Sequence, residues 1–270
     1  VIIQPDWRIL TIGDGDLSFS RSLWLHHQPK FLCATTYDSV TDIKAKYGLQ
    51  HWQYFKQQQQ QGKPCRVIND VDLTAADRWG DIPQQSFDLV IFQFPLLPAI
   101  GSAEQYQQLQ QTMSINTLNR RLLHLYLKHC FEFFLDPEGL QLACITSKDV
   151  KPYRDWGLEY ALERRLPGQF IGACDFDLTR FPGYQMRNVD RSGQVKSTDA
   201  RSFYWSSRAH SQLQALLDMP SYLKSNYCRM CRSGPFLTES DWQAHCATKR
   251  HRQLQAFEQQ WDYYLSNHYK

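Results

Sequence analysis

An α/β fold, a mainly parallel sheet with helices on both faces and a small finger at the C-terminal end, is what this 270-residue sequence predicts. Three observations predict it. Short apolar runs alternate with stretches of helical spacing through most of the chain. Several of those runs are apolar almost throughout, as strands are when helices cover both faces of a parallel sheet. Finally, cysteines and histidines near the C-terminal end fall at metal-ligand spacing.

The elements follow in order. Strands are predicted at 8–12 (RILTI), 31–37 (FLCATTY), 66–71 (RVINDV), 87–92 (FDLVIF) and 140–146 (LQLACIT). Helical spacing occupies 17–27, 41–61 and 104–134 between them. Runs at 169–176 and 200–206 close the sheet as an antiparallel pair. The five glutamines at 57–61 form a solvated helix end or loop without chemistry. After Pro220 the pattern changes, which places a boundary at 219–224 and divides a main domain, 1–219, from a finger and C-terminal helix, 220–270.

Composition narrows the setting. A hydrophobic content of 42% suits a folded protein with one large core. No run approaches the roughly 18 to 20 apolar residues of a membrane helix, and VIIQPDWR lacks the layout of a secretory signal. The expectation is a cytoplasmic monomer, nucleolar in a eukaryote, with no membrane partner and reduced thiols at Cys33, Cys65, Cys130, Cys144 and Cys174. The net charge of +3 is modest but uneven. Between Lys224 and Arg252 six basic residues face two acidic ones, so the positive charge sits at one end.

The chemistry begins after the first strand, where Gly13, Asp14, Gly15 and Asp16 break the apolar run. Such a loop, between a strand and a helix, presents backbone N–H groups to a nucleotide-like ligand. The third glycine of the dinucleotide fingerprint is missing, with Ser18 in its place, and two aspartates oppose a pyrophosphate. They suit instead a ligand carrying an ammonium and ribose hydroxyls, such as S-adenosylmethionine. Asp38 ends the second strand and Asp72 follows the third, positioned for the ribose hydroxyls and the adenine amino group. Helix capping would explain each of these two singly; three ordered strand ends together favour the cofactor. The fourth strand ends in FQFP, where the Gln93 amide, Phe94 and Pro95 match a polar-Pro-aromatic motif that grips a flipped base. A buried strand with a turn-forming proline would also explain those residues.

ILTIGDGDLSFSRSL, ATTYDS, VDLT, FDLVIFQFP, ITSKDVKPYRDWGL and FPGYQMR, in that order over residues 8 to 187, resemble the ribosomal RNA (uridine-N3)-methyltransferase-like family. The resemblance implies a Rossmann-like class I methyltransferase that uses S-adenosylmethionine on uridine N3 in RNA, ribosomal RNA first and tRNA second. It also implies that Gly13, Asp14, Gly15, Asp16, Ser18, Asp38, Asp72 and Phe92 line the cofactor and that Phe92 to Pro95 border the base. Lys148, Tyr153, Trp156, Tyr184 and Arg187 would flank the substrate. The family usually has Asn or Asp where this chain has Gln93, and its His-Gly stretch is replaced here by Leu96, Leu97 and Pro98. Transfer of the aminocarboxypropyl group, a silent RNA-binding protein on a decayed fold, and a small-molecule methyltransferase are the rival readings.

The finger reads Cys228-x2-Cys231-x13-His245-x5-His251, a closed set for one structural zinc ion. Phe236 and Trp242 supply its core, and Cys246 is an alternative ligand. The five-residue histidine spacing resembles matrin or U1-like fingers that bind RNA, and Lys249, Arg250 and Arg252 beside the last ligand supply charge for phosphates.

Overall fold

The computed structural model describes residues 1–97, 113–186 and 199–268. Its strands are β1 (Arg8–Ile12), β2 (Phe31–Thr35), β3 (Cys65–Ile68), β4 (Leu89–Gln93), β5 (Leu142–Lys148), β6 (Gln169–Asp175) and β7 (Ala200–Ser206). They form one sheet in the order β3-β2-β1-β4-β5-β7-β6, parallel except for β7, which pairs antiparallel with both β5 and β6. The chain builds outward from β1 to β3, then returns to place β4 on the other side of β1. That reversal opens a crevice at the carboxyl ends of β1 and β4.

The sheet is buried on both faces because its strands alternate apolar side chains to either side. Leu10 and Ile12 of β1 join one core, and Ile9 joins the other. Helices α1 (Ser18–His27), α2 (Val40–Tyr47) and α3 (Gln50–Gln60) follow β1 and β2, with Phe19, Leu23 and Phe55 buried in the second core. The first core is covered by α4 (Ile115–His129), whose Leu122, Leu123, Tyr126 and Leu127 return at helical spacing.

Two helical stretches differ from their predicted lengths. The stretch 41–61 divides at Gly48, whose φ of +82° ends α2 before α3 begins. Hydrophobic periodicity continues across that break, so the pattern alone conceals it. In the stretch 104–134, α4 gives way to a π-turn over Cys130–Phe134, while 98–112 lie outside the described residues.

Beyond Pro220, α5 (Glu239–Cys246) and α6 (Lys249–His268) complete the chain's described part. One face of α6, Leu254, Glu258, Trp261, Tyr264 and Leu265, is buried. Trp261 packs with Tyr160 and Ala161, and its indole N–H donates to the Ala161 carbonyl at 2.9 Å. The helix also clasps α4. Gln260 Oε1 accepts the Ser114 N–H at 3.1 Å and the Thr117 hydroxyl at 2.6 Å, at the helix N-terminus where backbone donors lack partners. Arg120, 1% exposed, donates to Glu258 at 2.5 Å and to the Trp156 carbonyl at 2.9 Å. No helix among the described residues is long and apolar enough to cross a membrane.

Candidate active site and metal centre

A cavity of about 390 Å3 occupies the crevice, a volume typical of small-ligand sites. Gly13, Asp14, Gly15, Asp16, Asp38, Asp72, Phe92, Gln93, Phe94, Pro95 and Tyr184 all line it. Residues from four strand ends that are far apart in sequence therefore meet around one space.

The loop after β1 is held from β2. Gly13 N–H donates to the Thr35 hydroxyl at 3.2 Å and Asp14 N–H to the Thr35 carbonyl at 2.9 Å. Leu17, the N-cap of α1, has no capping side chain, and the two aspartates take over that work. Asp16 Oδ1 accepts the Ser18 N–H at 2.9 Å, and Asp14 Oδ2 accepts the Ser20 N–H at 2.6 Å. Burial, and after it the neighbouring Asp16 charge, push the Asp14 carboxyl up to about 7. A cation entering the cavity would reverse that effect.

Asp38 does not cap α2; Ser39 does, with Asp42 completing a capping box. The Asp38 carboxylate is instead bonded to Lys46 Nζ at 2.8 Å. Asp72 Oδ1 holds a local turn through the Thr74 N–H at 2.8 Å and its hydroxyl at 2.7 Å, with Arg78 3.8 Å from the other oxygen. Both aspartates keep a cavity-facing position while making these contacts.

At the end of β4 the Gln93 amide is buried with neither its nitrogen nor its oxygen partnered among the described residues. An unpaired buried amide costs about 1–3 kcal/mol, so its presence at a cavity wall makes Gln93 a candidate ligand contact. Phe94 follows at φ +47°, a conformation that non-glycine residues rarely adopt and that clusters at functional sites. It is fixed by its N–H to the Thr146 carbonyl at 2.9 Å and by the edge of Phe176, 5.6 Å between ring centres.

Several expected residues stand elsewhere. Ser18 is buried behind the loop, its hydroxyl accepting the Gln185 N–H at 3.1 Å. Trp156 is a correction: at 3% exposure it belongs to the core beside Tyr153, so its ring has no face to offer a base. The Lys148 amine lies 5.8 Å from the centre of the Tyr153 ring, and neither residue lines the cavity. Arg187 lies outside the described residues. The sequence reading missed Tyr37, Lys46, Tyr47 and Arg121 as cavity residues. Lys46 was detectable in principle, since it lies two helical turns beyond Asp38 on the helix that Asp38 precedes.

The metal candidates do come together. The ligand atoms of Cys228, Cys231, His245 and His251 lie within 4.8 Å of one another. His251 Nδ1 is 3.5 Å from Cys228 Sγ and 3.9 Å from Cys231 Sγ. Tetrahedral zinc sets such pairs roughly 3.6 Å apart. His245 Nε2 is buried without a hydrogen-bond partner among the described residues, which fits a ligand atom directed at an ion. The wide histidine spacing has a simple cause: α5 ends at Cys246 and α6 starts at Lys249, so the two histidines come from different helices. Cys246 is outside the group.

Of the basic residues beside this centre, Arg250 is engaged within the protein by Asp155, and Arg252 donates to its own helix at the Ala247 carbonyl. Arg232 reaches Asp149 at 2.7 Å and the buried Glu159 at 2.6 Å. Two of the six basic residues, Arg232 and Arg250, therefore tie the Cys/His segment to the stretch after β5.

A parallel sheet that reverses between β1 and β4, ends in an antiparallel β7 and carries acidic residues at successive strand ends defines a Rossmann-like class I methyltransferase fold. The family model described as BMT5-like, rRNA (uridine-N3-)-methyltransferase BTM5-like, matches residues 10–188. The chain belongs to that family of S-adenosylmethionine-dependent methyltransferases. It is also similar to heavy metal-associated isoprenylated plant protein 41 of Arabidopsis thaliana, 28% identical over 193 residues, covering 68% of this chain and 33% of that protein. The chain thus spans about a third of that relative's length. Among solved structures it resembles the B. subtilis M1A22 tRNA methyltransferase TrmK, with a TM-score of 0.43 and 9% identity, covering 96% of this chain and 92% of that one. A methyltransferase from Pyrococcus furiosus gives a TM-score of 0.40 and 11% identity, covering 77% and 78%.

Proposed function

We propose that this protein methylates N3 of a uridine in ribosomal RNA, with a zinc-bound finger helping to hold the substrate. The observation that carries the reading is the Gln93 amide, buried and unpartnered in the cavity wall. An amide N–H can donate to a uracil carbonyl next to N3, where negative charge gathers as N3 loses its proton. When bound, the cofactor supplies an electrophilic methyl group on a sulfonium. The chain's own residues orient the reactants and keep water out. Asp14 and Asp16 face the cationic amino-acid end, Asp38 accepts from a ribose hydroxyl in competition with Lys46, and Asp72 stands ready for the adenine amino group. Leu96 and Leu97 give the base side an apolar rim. Residues 1–219 would form the catalytic unit and 220–270 the finger with its helix. Lys249 and Arg252, exposed beside the last histidine, would meet RNA phosphates.

Incubating the protein with ribosomal RNA and isotopically labelled S-adenosylmethionine, then analysing nucleosides by mass spectrometry, tests this directly. The expected product is 3-methyluridine. An aminocarboxypropyl adduct or a labelled base other than uridine would refute the assignment. Metal analysis should find one zinc per chain, lost in Cys228→Ser; equal metal in both would refute the finger.

A further inference from the structure

Arg121 is a charged cavity residue that neither the cofactor reading nor the base reading uses. It stands on α4 one turn beyond Leu118 and next to Leu122, and all three line the cavity opposite the glycine loop's strand end. Its neighbour Arg120 points the other way, into the contacts with Glu258 and Trp156. Among the described residues two cationic side chains line the cavity, Lys46 and Arg121. Lys46 is bonded to Asp38, whereas Arg121 is half-buried with no hydrogen bond or ion pair among the described residues. Four carboxylates line the same space, and none has claimed it.

A half-buried guanidinium beside Leu118 and Leu122, with its five donors free of protein partners among the described residues, is open to a ligand in the cavity. Its flat fork matches a carboxylate or a phosphate through two parallel bonds, and it stays charged at any working pH. We propose that Arg121 is an oxyanion-binding residue that completes the ligand site from the helical wall. The oxyanion is either the amino-acid carboxylate of the cofactor or a phosphate flanking the target uridine; the chemistry at Arg121 is the same. This inference rests on the methyltransferase reading of the cavity.

The test uses the full chain, with Arg121→Ala and Arg121→Lys. Three probes are titrated: S-adenosylhomocysteine, 5′-methylthioadenosine, which keeps the nucleoside and sulfur but lacks the amino acid, and ribosomal RNA. If the carboxylate is the ligand, Arg121→Ala weakens S-adenosylhomocysteine on the order of ten- to a hundred-fold and leaves methylthioadenosine unchanged. If a phosphate is the ligand, both nucleosides bind as before, and RNA binding falls with a salt dependence shallower by about one counterion. Arg121→Lys recovers part of either loss. Unchanged binding of all three probes overturns the proposal. So does an equal loss for all three together with a lower melting temperature, which marks a packing role. Wild-type protein that ignores both nucleosides refutes the cofactor reading and the carboxylate source with it, and the RNA titration then decides for or against Arg121 alone.

Discussion

Replacing the two loop glycines one at a time separates folding from binding. Gly13 has φ +62°, and a Cβ there would stand 3.2 Å from the Phe92 ring. An L-residue in the left-handed region costs about 1–2 kcal/mol, and Phe92 must also give way. Gly13→Ala should therefore lower Tm by roughly 2–8 °C. Gly15 differs on both counts. Its φ is not in that region, and the nearest atom to a Cβ is the Tyr47 hydroxyl at 3.8 Å, an ordinary contact. Among the described residues no neighbour crowds a Cβ at Gly15, and the space a larger side chain would enter is the cavity it lines. Gly15→Val should leave stability within about 0.5 kcal/mol and weaken S-adenosylhomocysteine by roughly tenfold or more. Thermal melting and calorimetry read the two effects separately. A Gly15→Val protein that binds as tightly as the parent would show that the loop merely turns the chain.

Gln93→Ala removes an amide that bonds nothing among the described residues, so it should cut turnover by roughly tenfold while S-adenosylhomocysteine affinity and Tm hold; loss of cofactor affinity would move Gln93 to the other half of the site. Asp14, raised from 3.8 to about 7, keeps a proton in the native state that the unfolded chain releases, so stability falls as pH rises from about 4 toward 7. Affinity for a cationic cofactor should rise through the same window and level off above it, and Asp14→Asn should flatten both trends in denaturant and calorimetric titrations. Glu258→Ala strands a buried Arg120 and should cost about 3–5 kcal/mol, seen as a Tm lower by roughly 6–20 °C; a change of less than 1 °C would refute the role given to the clasp.

Local pattern revealed most of the sheet. Short apolar runs and the residues that break them placed the seven described strands to within a few residues, and the cavity followed because such folds bind ligands at strand ends. What stayed hidden was whatever depends on partners far along the chain. Trp156 and Tyr184 are both aromatic in sequence; only packing decides that one is core and the other lines the cavity. Arg250 looked like a free cation because its partner, Asp155, is 95 residues away. The aspartates of the first loop both cap α1 and line the cavity, and a spacing rule cannot tell a helix cap from a cavity-lining carboxylate when the same residue is both.

The clasp between α6 and α4 also sets an order of events during synthesis. Gln260 and Glu258 are translated 146 and 138 residues after the Ser114 and Arg120 they hold. A ribosome therefore releases the whole sheet and the arginine-bearing wall of the cavity long before the side chains that fasten that wall exist. Domains fold as they emerge, so the nascent chain passes through a stage with its sheet assembled and α4 unsecured. Any chain cut short of residue 258 would remain in that stage. Synthesis of α6, rather than completion of the sheet, is the moment at which the α4 wall of the cavity is fastened.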